Sequence, residues 1–154
     1  MASLSGAGIR VDLPAGWEGA IEGERLALQL ADGAERFPVL HVANFPLPPA
    51  RGDFGSSVVE GMGAGDILIV LKEFSPAAAT TALFAARGLP RAPVPGDFLR
   101  EMLQRPIAGQ GGMQRFFTEA GRAFCLYVVI GSFVDRAELV PAVAQVLAHL
   151  EIDP

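Results

Sequence analysis

The sequence predicts an α+β fold: an antiparallel β-sheet of about six strands sandwiched by helices, closed by a C-terminal helix packed on the sheet. Three observations carry this. Residues 8–13 alternate Ile9, Val11 and Leu13 with Arg10 and Asp12, the period-two pattern of a half-buried strand. Residues 123–130 are apolar at every position, as in a strand covered on both faces. Leu139, Val143, Val146, Leu147 and Leu150 then recur at helical spacing as one apolar stripe.

Taken in order, the strand at 8–13 stops at Pro14, and Ala15-Gly16-Trp17 reads as a turn carrying one large anchor. Residues 25–30 place Leu26, Leu28 and Leu30 on one face, and Asp32-Gly33 is a turn signal before the strand at 37–45. The proline cluster at 46–49 must leave the sheet. Residues 53–62 suit a short helix capped by Asp53 or Ser56, and 66–74 a buried strand. The segment 75–111 is the least regular: a helical turn at Ala77-Ala78-Ala79, a proline-rich surface loop at 88–97, and a brief helix at 98–105. Residues 113–118 then pair with 122–131 through a turn at Glu119-Ala120-Gly121. Asp135 and Glu138 have the spacing of a capping box, and Pro141 either starts the regular helix or kinks it.

At 154 residues the chain fits one domain, here 8–152, with 1–7 read as a flexible lead. Hydrophobic residues make up 51% and mean hydropathy is +0.36, so the chain has ample apolar material for a core. Net charge is −5, and residues 1–77 carry ten acids against five bases. No basic stripe runs along the chain, which argues against nucleic acid and anionic membranes as partners. No segment has the length and apolarity of a membrane-spanning helix, and the N-terminus lacks the pattern of a signal peptide, so the expectation is a soluble cytoplasmic protein. A single cysteine, Cys125, gives no disulfide framework.

The opening Leu13-Pro14-x-Gly16-Trp17, the central apolar strands, the strand end at Gly131 and the closing Val143-x-x-Val146-Leu147-Ala148-x-Leu150 resemble domains with the PsbP-like fold. That fold includes photosystem II extrinsic subunits, a Ran-binding import factor and bacterial lipoproteins. The resemblance implies a bacterial, noncatalytic assembly or binding module. No functional residue of that family maps onto this chain.

The chemistry-bearing residues point the same way. His41 lies inside a strand and His149 near a helix C-terminus, with neither in a metal-spacing motif. Cys125 sits among Phe124, Leu126 and Tyr127, as an inert core thiol does. Ser56, Ser57 and Ser132 lack the glycine-framed elbow of a hydrolase serine. The glycine-rich 61–66 precedes a strand, the reverse of a dinucleotide loop, and Glu22 and Glu24 read as a solvated charge cluster.

Two interaction features remain. Pro46, Pro48, Pro49 and Arg51 fit a Pro-x-x-Pro-x-Arg ligand segment. Phe116 and Phe117 are adjacent on a strand and so face opposite sides, which leaves one exposed unless both faces are covered. The expectation is a noncatalytic protein-interaction or self-association module without cofactor or metal. The alternatives are a small apolar ligand in a pocket beneath the 88–97 loop, and an enzyme using His41.

Overall fold

A computed structural model describes residues 1–23 and 37–154, with the backbone of 28–29 and 35–36. Ten strands and one α-helix are described: β1 (Ala2–Gly6), β2 (Ile9–Leu13), β3 (Glu18–Glu22), β4 (Leu28–Gln29), β5 (Glu35–Arg36), β6 (Val39–Ala43), β7 (Ile67–Glu73), β8 (Gly111–Glu119), β9 (Arg122–Ile130), α1 (Arg136–Ala148) and β10 (Leu150–Ile152). They form a five-stranded sheet in the order β3-β6-β7-β9-β8, a three-stranded sheet β1-β2-β10, and the pair β4-β5. Every pairing between these strands is antiparallel. The turn at Asp32-Gly33, Glu24 and most of the expected 25–30 strand lie outside the described residues.

One face of the five-stranded sheet carries Leu40, Val42, Ile67, Ile69, Leu71, Met113, Phe117, Phe124, Leu126, Val128 and Ile130. It is covered by α1, by the three-stranded sheet through Ile9, Val11, Leu13 and Leu150, and by Leu89 and Phe98 from the irregular segment. The buried helix residues are Val140, Val143, Val146 and Leu147, worth at most about 6–12 kcal/mol by transfer energies. The opposite face carries Val39, Ala43, Leu68, Val70, Tyr127 and Val129, under Val58, Val59 and Leu103. Period two sorts alternate residues of β6, β7 and β9 onto the two faces, which is why these strands are apolar at nearly every position.

Several expectations need correction. The sheet is sandwiched by one helix and a second sheet on one side and by irregular cover on the other, not by helices on both. Segments 53–62 and 98–105 form only short 3₁₀ turns, at Val59–Gly61 and Arg100–Met102, whereas the helical turn expected at 77–79 is present within Pro76–Thr80. Gly55 and Gly61 interrupt the first segment and Pro106 closes the second, so neither reaches the length an α-helix needs to repay its nucleation. The chain closes on a strand: α1 ends at Ala148, and Leu150, expected on the helix, faces the core from β10 beside Val11. Residues 2–6, read as part of a flexible lead, form β1 through the turn at Ala7 and Gly8, both at positive φ. The capping box does not form. Asp135 makes no side-chain cap; its carboxylate accepts from the Ser132 hydroxyl at 2.8 Å instead. Pro141 lies inside α1, five residues after its first position.

Arg122 ties these layers together. It is 6% exposed, and Glu73 beside it is 5% exposed. Its Nε donates to Glu73 Oε2 at 2.9 Å and its Nη2 to Glu73 Oε1 at 2.6 Å. The remaining N–H groups reach the carbonyls of Ala7 at 2.8 Å, Gly8 at 3.4 Å and Asp153 at 2.9 Å. One guanidinium thus joins the β1–β2 turn, the end of β7, the start of β9 and the C-terminal segment, with all five donors used.

Candidate functional site

The sequence's candidate residues do not converge. Phe117 is 1% exposed and stacks on Phe124 at 5.7 Å, so it belongs to the core. Phe116 points to the other face and remains half-buried, 5.5 Å from the ring of Phe84 and 6.4 Å from that of Phe74. Pro46, Pro48 and Pro49 are exposed, but Arg51 is folded back. Its Nη1 donates to Pro48 O at 2.8 Å, and it pairs with Glu22. Its guanidinium is therefore engaged within the fold rather than presented as a polyproline ligand would need.

His41 sits in the middle of β6 and is 2% exposed. Its Nε2 donates to the Asp53 carbonyl at 2.9 Å, whereas Nδ1 is buried with no partner among the described residues. Asp53 in turn pairs with Lys72, whose ammonium lies 5.8 Å from the Phe54 ring and 5.7 Å from the Phe74 ring. Burial holds the His41 imidazole below its ordinary value, partly offset by the carbonyls of Asp53 and Gly52 and the Asp53 charge. The group serves as a neutral pin for the 52–54 segment.

A pH dependence follows. Well above the ordinary imidazole value of 6.5 the ring is neutral in both folded and unfolded chains. As pH falls below that value the unfolded chain takes up the proton first, so stability is lost. The unfolding midpoint should drop between pH 7 and pH 5, and His41→Gln should flatten that drop. An unchanged slope in the variant, followed by thermal denaturation, would assign it to other groups.

Cys125 is fully buried, and burial pushes its thiol up to about 12, against a smaller opposing effect of the Lys72 charge. A thiol this protonated is a poor nucleophile. Iodoacetamide at pH 8 should label it only in denaturant; rapid labelling of the native chain would contradict its placement.

The glycine-rich 61–66 is a packing element. Gly131 N–H donates to Asp66 O at 2.8 Å, and a Cβ at Gly131 would stand 1.8 Å from the Gly63 carbonyl oxygen. The loop lies backbone against backbone on the end of β9, which only glycine permits. Among the described residues no three His, Cys, Asp or Glu side chains converge as a metal site. No helix is long and apolar enough to cross a membrane among them.

The feature that sequence reasoning missed is the outer edge of β8. Gly112 and Thr118 turn their backbone groups away from β9. Gly112 exchanges two bonds with Leu99, at 2.9 and 2.8 Å. Thr118 donates to Ala86 O and accepts from Gly88 N–H, both at 2.8 Å. Antiparallel alternation gives Gln114 and Phe116 the same outward orientation. Among the described residues no hydrogen bond reaches Gln114 N–H, Phe116 N–H or Phe116 C=O. The Gln114 carbonyl accepts from Arg115 Nη1 at 3.0 Å. The intervening chain, with Pro90, Pro93 and Pro95, leaves the edge at Gly88 and returns at Leu99, buttressed by Arg91, whose guanidinium reaches the carbonyls of Leu147 and Leu150. It forms an arch whose two feet stand on β8.

Two grooves are described. One, of about 300 Å³, is lined by Leu103, Pro106, Ile107 and Gln110. Gln110 is 3% exposed, donates to Val59 O at 2.9 Å, and keeps its side-chain oxygen unpartnered. The other, of about 440 Å³, lies among Thr80, Arg87, Thr118 and Glu119. Of the 88–97 loop only Gly88 lines either groove, and within the loop Leu89 and Pro93 are themselves buried.

Compared with protein-family models, with curated proteins and with solved structures, the chain matches none.

Proposed function

We propose that this domain is a noncatalytic protein-interaction module. The observation that carries this reading is the β8 edge: three main-chain hydrogen-bonding groups unpaired beside the half-buried Phe116. Sheet edges of this kind pair with added strands. The resemblance to the PsbP-like fold, whose members include assembly subunits, supports the same class. Affinity capture from the source cells with the intact chain tests it. The expected result is a stoichiometric partner whose retention falls when residues 114–116 are altered; capture unaffected by any surface change, or none, counts against it.

A second reading, a small apolar ligand, is favoured by the groove at Leu103, Pro106 and Ile107 with the unpartnered Gln110 oxygen behind it. A thermal-shift panel of lipids and metabolites tests that reading, and silence across the panel weakens it. The third reading, an enzyme using His41, would need a substrate to reach a side chain that is 2% exposed.

A further inference from the structure

Resting on the interaction-module reading, we propose that the open edge of β8 takes up a short, acidic, extended peptide as an added strand, seated between the two feet of the arch. Gln114 N–H, Phe116 N–H and Phe116 C=O are the groups it would pair with. Between Gly112 and Thr118 the edge runs about 20 Å at strand spacing, room for about five residues.

The feet decide between occupants. If β8 of a second copy lay antiparallel along this edge, its residue 118 would have to stand opposite Gly112, on the line that Leu99 already occupies. The same collision recurs at the other foot. A second copy carries its own arch and cannot enter; a free strand without flanking structure can.

Two observations define the chemistry of the strand. On its face of the sheet the incoming side chain lies beside Phe116, a half-buried ring backed by Phe74 and Phe84, which favours an apolar residue. The surroundings are basic within an acidic protein: residues 86–119 hold five arginines against three acids, whereas the whole chain has net charge −5. Arg87 stands at one foot, exposed and without an ion pair among the described residues. Arg115, bound to Asp97 at 3.3 Å, stands midway. Carboxylates flanking the apolar residue complement this charge. Arg115 on the Gln114 carbonyl, together with the feet, also keeps the edge too short for open-ended aggregation.

The test uses the full chain, ¹⁵N-labelled, titrated with acetyl-Glu-Val-Glu-Val-Glu-amide, whose valines share the face of Phe116 and whose carboxylates share that of Arg115, and with the counterpart carrying lysine for glutamate. The acidic peptide is expected to shift the Gln114 and Phe116 amides and slow their exchange about tenfold at saturation, with the lysine peptide at least about threefold weaker. Gln114→Pro removes one outward donor without touching the β8–β9 ladder, and should abolish the response. Gln114→Glu, which leaves the backbone intact, should weaken the acidic peptide and serves if the proline variant does not fold. Equal binding of both peptides, shifts confined to other strands, or a response retained in both variants overturns the proposal. So does a dimer, seen by sedimentation, that either variant dissociates, because it assigns the edge to a second copy. If neither peptide binds while a cellular partner is still captured through another surface, the edge assignment fails and the module reading stands.

Discussion

Replacing Arg122 with methionine is expected to lower stability by about 3–5 kcal/mol, because the change leaves the buried Glu73 carboxylate without its partner. For a domain of this size that corresponds to a fall in Tm of about 6–20 °C. Three carbonyls, of Ala7, Gly8 and Asp153, also lose a donor. The loss separates into two parts by a double-mutant cycle. Adding Glu73→Met removes the orphaned charge and should recover about 1–3 kcal/mol. What is not recovered reports the three carbonyl bonds and the loosened junction of the β1–β2 turn with the C-terminal segment. Urea denaturation of the four proteins measures the cycle. A single-variant loss under about 1 kcal/mol would show that the pair is solvated in solution, as exposed pairs are.

The second large effect distinguishes two neighbours of identical chemistry. Phe117→Ala should cost about 3–5 kcal/mol, since it opens a cavity beside Phe124 in the main core. Phe116→Ala should cost only about 1–2 kcal/mol, since that ring is half-buried and leaves water partly in contact with it, although it touches the rings of Phe84 and Phe74. Thermal or urea unfolding compares them directly. Equal losses would mean that Phe116 is core too and that the β8 edge is less open than its hydrogen bonding indicates.

The β-strand skeleton was legible because burial writes period two into the chain. Ile9, Val11 and Leu13 alternate, residues 67–71 and 123–130 are apolar throughout, and all are strands where expected. What escaped depends on partners distant in sequence. Leu150 fits a helical stripe equally well as a strand position beside Val11, and only the β2 neighbour decides. Glu73 and Arg122 each read as a polar strand end; nothing local says that they meet across forty-nine positions. The candidate site was less legible. The expected turn spanned Glu119-Ala120-Gly121, but the loop has two residues, Ala120-Gly121, with Glu119 paired to Arg122, and that one-residue difference sets which β8 residues face outward. That β8 lies at an edge, and that the 88–99 arch stands on both its ends, does not follow from sequence either: edge position is a property of sheet order. Arg51 likewise reads as a ligand arginine until Glu22 and Pro48 close on it.

The central claim is that the β8 edge is open between two closed feet, and amide hydrogen exchange of the free, full-length protein tests it most directly. Gln114 and Phe116 should exchange rapidly, while Met113, Arg115 and Phe117, bonded into β9, and Gly112 and Thr118, bonded to the feet, stay protected. Uniform protection from residue 112 to residue 118 would mean that the edge is already filled, and would contradict the account.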